Sequence, residues 1–69
     1  MLWLKGADIT EIRHAHGMNL REFAQFVGVA GATVSRWEAD KRRPKYKMME
    51  RLNELRARAV RKLKEKVTA

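Results

Sequence analysis

Cysteine is absent from the 69 residues, which excludes a disulfide framework and a thiolate zinc site, and helix packing is the means this composition supports for holding so small a chain together. A cysteine-free chain suits a reducing compartment, and the expected location is the cytoplasm. Proline occurs once, at Pro44, and glycine four times, at positions 6, 17, 28 and 31, so breakers are sparse and short helices fit between them. No apolar run approaches the roughly 20 residues of a membrane span. The opening Met1-Leu2-Trp3-Leu4 is too short and too poor in flanking bases for a signal peptide, and reads as a short apolar arm. Ser35 is the only serine and has no partnered His or Asp in the pattern. His14 and His16, two apart on a helix, point to different faces. With no carboxylate pair and no metal-ligand cluster, the sequence predicts neither an enzyme nor a metal, cofactor or small-molecule site.

What the chain does have is positive charge, unevenly placed. The formal net charge is +8. Residues 1–40 hold four basic and five acidic side chains, a net of −1, whereas residues 41–69 hold twelve basic and three acidic, a net of +9. The C-terminal part therefore faces a polyanion, either nucleic acid or an anionic surface.

Apolar spacing predicts a helix from about Ala7 to His16, with Ile9 and Ile12 inward, joined by Ala15 or His16, and Gly17 as its left-handed stop. A second helix starts at Asn19, which caps it with Glu22 three residues later, while Met18 can staple onto Phe23. It buries Phe23, Ala24 and Val27 and ends at Gly28. After only Val29 and Ala30, a third helix runs from Gly31 to about Glu38, with Val34 and Trp37 as its core positions. Two such short helices joined by so short a turn must cross steeply, which is the geometry of a helix-turn-helix. From Tyr46 on no breaker intervenes, so one long helix or two can follow. Met48 or Met49, Leu52, Leu55, Ala59, Leu63 and Val67 form its stripe.

Met18-Asn19-Leu20-Arg21-Glu22-Phe23-Ala24, Val27-Gly28-Val29, Thr33-Val34-Ser35-Arg36-Trp37-Glu38 and Arg42-Arg43-Pro44 together resemble the phage repressor and Cro family of helix-turn-helix domains, over about Ile9 to Leu55. The resemblance implies an all-α, compact, lambda-repressor-like domain of four or five helices with a long basic C-terminal helix. One domain is expected over residues 1–69, with a core of about 6–55 and a basic extension over 56–69. It also implies binding of double-stranded DNA, with the third helix in the major groove. Carried over by position, Gly31, Ala32, Ser35 and Arg36 face base edges, Arg36 being able to bond guanine O6 and N7 together. Phosphates then fall to Asn19, Leu20, Arg21, Thr33, Lys41, Arg42, Arg43 and Lys45, with Lys47 nearby. Arg13 and Glu38 resemble an internal ion pair of the family, and Phe23, Ala24, Val34 and Trp37 are structural.

Three positions depart from the family pattern: Leu20 stands where Gln is usual, Ala30 where a Ser or Thr cap is usual, and Asp40 where Gly follows the reading helix. Trp3 lies outside the motif and can pack on the C-terminal helix or meet another subunit. The bases Arg56, Arg58, Arg61, Lys62, Lys64 and Lys66 can form a solvated face, contact phosphate or lie at a dimer interface. The expected function is that of a small transcriptional repressor or autorepressor, binding an inverted repeat as a homodimer through a short contact involving Trp3 and Leu4. The alternative is a protein-binding module, an antitoxin or a coactivator bridge, that uses the C-terminal helix.

Overall fold

A computed structural model describes residues 3–68, with side chains through Arg61. The chain forms α1 (Gly6–Ala15), α2 (Leu20–Val27), α3 (Gly31–Glu38) and α4 (Tyr46–Thr68). Among the described residues there is no strand, so the all-α class holds, and the count of helices is four. α4 is one helix of 23 residues, about 34 Å long at 1.5 Å per residue, because no proline or glycine interrupts it.

Each shorter helix begins and ends for a local reason. α1 starts at Gly6, one residue before the expected Ala7, because the Lys5 N–H donates to the Asp8 carboxylate at 2.9 Å and draws the first turn in. Gly17, at φ +67°, reverses the chain after it. At α2 the Glu22 N–H donates to Asn19 Oδ1 at 2.8 Å and the Asn19 N–H donates to the Glu22 carboxylate at 3.0 Å, the reciprocal cap that the spacing predicts. α3 has Ala30 at its N-cap and no side-chain cap, which leaves its first amides open.

The core is made of Ile9 and Ile12 from α1, Phe23, Ala24 and Val27 from α2, Val34 and Trp37 from α3, and Met49, Leu52 and Leu55 from α4. Met49, not Met48, is the fully buried methionine. Ala59 is also buried, so α4 stays packed on the rest of the chain at least as far as that residue. Ala15 is exposed, and it is His16 that is half-buried, its Nε2 lying 3.0 Å from the Leu55 carbonyl oxygen.

The N-terminal arm corrects one expectation. Leu4 is only 5% exposed and belongs to the core, with its N–H 3.3 Å from Met49 Sδ. It cannot serve a dimer contact. Trp3 is 60% exposed and lines a cleft beside the α3–α4 loop. The side chains of Leu63 and Val67, and of Lys62, Lys64 and Lys66, lie outside the described residues.

Candidate nucleic-acid interface

Two joints set the direction of α3. The first is the turn from α2. Gly28 sits at φ +81°, a left-handed conformation that glycine adopts without penalty, and both its N–H and that of Val29 donate to the Ala24 carbonyl at 2.9 Å. Phe23 and Val34 are fully buried on either side of the crossing. Leu20 is half-buried with its Cδ2 3.6 Å from where a Cβ on Gly31 would stand. The residue that replaces the family's Gln thus packs on the start of α3, and only its backbone amide is available to an anion.

The second joint ties α1 to the end of α3 and is polar. Gly6, Thr10 and Arg13 share one face of α1 at spacings of four and three. The Gly6 N–H donates to Asp40 Oδ1 at 2.8 Å. Thr10 Oγ1 donates to Glu38 Oε1 at 2.9 Å, and Arg13 holds both Glu38 oxygens, from Nε at 2.8 Å and Nη2 at 3.1 Å. Arg13 Nη1 also donates to the Met18 carbonyl at 3.2 Å. Burial opposes ionisation of Glu38, but the hydrogen bonds from Arg13 and Thr10 and the nearby charges of Arg13 and His14 outweigh it, holding the carboxyl below its usual range. The same hydrogen bond, against the opposing effect of burial, raises Arg13. Such a pair fixes geometry more than it adds stability.

Asp40, where the family has glycine, stands at φ +58°. Its carboxylate supplies the reason: it takes the Gly6 N–H, at a backbone conformation that Asp tolerates better than most residues. In the sequence Gly6 stands out only as a break, and nothing beside Thr10 marks it as a partner of α3. The spacing of 6, 10 and 13 on one helix face was the signal that could have linked them.

Held this way, α3 buries Val34 and Trp37 and exposes Ala32, Ser35 and Arg36 on the opposite side, with Gly31 and Thr33 half-buried. Beyond α3 the chain curls back: the Lys41 and Arg42 N–H groups donate to the Arg36 carbonyl at 2.9 and 3.3 Å, and Pro44 is buried. Lys41, Arg42, Arg43, Lys45 and Lys47 are exposed, and Thr33, Arg42, Arg43 and Lys45 line a cleft of about 340 Å³ next to α3. Among the described residues the ion pairs are Arg13 with Glu38 and Arg58 with Glu54, so this cluster of cations carries its charge outward. Asn19 and Arg21 are exposed at the start of α2, but the Asn19 side chain is committed to its cap. No group of three or more His, Asp or Glu side chains suited to a metal ion occurs among the described residues. No described helix is long and apolar enough to cross a membrane.

An exposed polar face on the second helix of a packed, short-turn pair, flanked by outward-facing cations, is the arrangement that reads duplex DNA. The profile of the helix-turn-helix family matches residues 9–55. The chain belongs to the helix-turn-helix family, of the Cro and C1 type. No curated protein and no solved structure matches the chain. The family membership makes this helix-turn-helix protein a DNA-binding regulator of transcription.

Proposed function

We propose that the protein is a sequence-specific repressor of the cytoplasm, which binds an inverted repeat in double-stranded DNA as a homodimer and places α3 in the major groove. The supporting observation is the outward face of α3: Ala32, Ser35 and Arg36 stand clear of the core that Val34 and Trp37 fill. Arg36 is the principal base reader, its guanidinium suited to guanine O6 and N7. Ala32 offers a methyl to thymine, Ser35 a hydroxyl, and Gly31 a close approach. Phosphates are held by Thr33, Lys41, Arg42, Arg43 and Lys45 on one side. On the other they meet the start of α2, where the amides of Leu20 and Arg21 and the side chain of Arg21 point to the helix end that Asn19 caps.

Substitution separates the two roles. Arg36→Ala is expected to weaken specific binding by about 1 to 3 kcal/mol and to relax the preference at one base position per half-site. Arg43→Ala is expected to weaken binding to every sequence and to lower the salt slope by about one. Titrations of a selected duplex and a random duplex at several salt concentrations measure both. Equal loss on the two duplexes for Arg36→Ala would make Arg36 a phosphate contact and reverse the orientation of α3. If Ala32 and Arg36 substitutions leave the cellular role intact while removal of the chain after Leu55 abolishes it, the protein acts instead as an antitoxin or coactivator bridge through α4.

A further inference from the structure

Trp3 is 60% exposed, an unusual setting for an indole, and its position is set by its neighbour, since Leu4 is anchored in the core. The ring does not stand alone. It lines a cleft of about 460 Å³ together with Lys5, Arg42 and Arg43. The same two arginines line the cleft that contains Thr33 of α3. Trp3 therefore lies beside the arginine pair that also borders α3, and Trp37 of α3 lines both clefts. The carboxylate of Asp40 also borders the Trp3 cleft, but the three cations Lys5, Arg42 and Arg43 outnumber it and leave the cleft positive.

We propose that the arm is a second DNA contact, in which Trp3 and Lys5 hold the sugar–phosphate backbone next to the segment read by α3. The chemistry fits that ligand. An indole has an apolar face to lay on a deoxyribose and a single N–H, donor only, to give to a phosphate oxygen. Lys5, Arg42 and Arg43 supply the charge that brings the backbone there. The contact carries no base information and lengthens the stretch of duplex that one protomer covers. It rests on the proposed function, because it requires that α3 face DNA.

The test uses the full chain, a duplex recovered by selection, and a random-sequence duplex of a few helical turns. Trp3→Ala is expected to weaken binding to both duplexes alike, by about tenfold, the combined loss of one hydrogen bond to a charged group and of the ring's contact with the sugar. The thermal midpoint and the salt slope stay unchanged, because the lost group is exposed and neutral. Trp3→Phe, which keeps a ring and loses the donor, is expected to recover part of the affinity. Indole emission from the wild type should change on saturation with either duplex, and the emission of Trp3→Ala, which leaves only the buried Trp37, should not. Full affinity in Trp3→Ala, or indole emission that does not respond to DNA while Arg43→Ala still weakens binding, would overturn the arm contact and leave the proposed function standing. If the wild type bound neither duplex, the proposed function would fall and the arm contact with it.

Discussion

Gly6 shows how one missing atom can decide a fold. A Cβ there would lie 2.8 Å from the Trp37 carbonyl oxygen and closer still to the Glu38 carbonyl, all of it backbone that cannot swing aside. Gly6→Ala is expected to destabilise by about 3 kcal/mol or more, the upper end of overpacking effects. For a chain of this size that lowers the thermal midpoint by more than about 10 °C. Gly31→Ala is the control: the new Cβ would meet only Leu20 Cδ2 at 3.6 Å, so the gain in helix propensity keeps the fold at least as stable. Melting curves followed by circular dichroism check both, and a Gly6→Ala protein that melts with the wild type would show that α1 and α3 do not meet so closely. The neighbouring carboxylate adds a pH dependence. Glu38 ionises more readily in the folded chain than at its ordinary value of 4.5, so the folded state binds fewer protons than the unfolded state as the pH drops through that region. Its contribution to stability is complete above about pH 4.5 and is lost as the pH falls through the lower, folded value. Glu38→Gln should abolish that part of the acid sensitivity, which denaturant titrations between neutral and acidic pH would reveal.

Helices declare themselves in sequence to the extent that their ends are built from nearby residues. α2 is bounded by Asn19, Glu22 and Gly28, all inside it or directly next to it, and the spacing predicts its limits correctly. α3 follows because Gly31, Val34 and Trp37 repeat the pattern after a turn too short for anything but a steep crossing. The joint between α1 and α3 was not readable in full, since Gly6 and Asp40 are 34 residues apart, and Thr10 and Glu38 are 28 apart. Only the Arg13 and Glu38 pair is legible, through resemblance to the family. The arm escaped for a related reason: nothing local marks Leu4 as a core residue and Trp3 as a surface one, and the difference arises from where α4 lies. Packing of α2 and α3 yields a sharp expectation. Phe23 and Trp37, 0% and 4% exposed, fill the crossing from its two sides, and truncation of either to Ala should cost about 3 to 5 kcal/mol, close to the whole stability of so small a core. Loss of helical signal at room temperature is the expected result for either variant. A Trp37→Ala protein with an unchanged melting curve would place that ring outside the core.

The proposed dimer follows from how little one copy can read. In the proposed reading a single protomer offers one reading helix with Arg36 as its one long base-reading side chain, less surface than tight specific binding normally requires. A twofold pair doubles the readout and matches an inverted repeat. The surface best suited to the contact is the groove of about 310 Å³ between α1 and α4, which Ile12, Ala15, Ala59 and Val60 line and Asp8, Glu11 and Arg56 border. Val60 is 46% exposed there. Six basic residues between Arg56 and Lys66 would repel across a symmetric helix pair, but the acidic border of α1 gives the basic α4 of a second copy an opposite charge to meet, and the same contact is made twice. The contact is short, so association in free solution should be weak and pairing should be cooperative on DNA, with half-sites about 34 Å apart on one face of the duplex. Inserting about five base pairs between the half-sites turns one of them to the opposite face. Paired binding should then collapse to the affinity of a single half-site. Val60→Arg should do the same on the intact repeat, because it sets a cation against Arg56 and removes the exposed apolar contact, while a lone half-site is still bound. Sedimentation on the intact repeat measures the stoichiometry directly. One protomer per duplex, or full affinity after the spacer insertion, would mean that the chain reads DNA as a monomer.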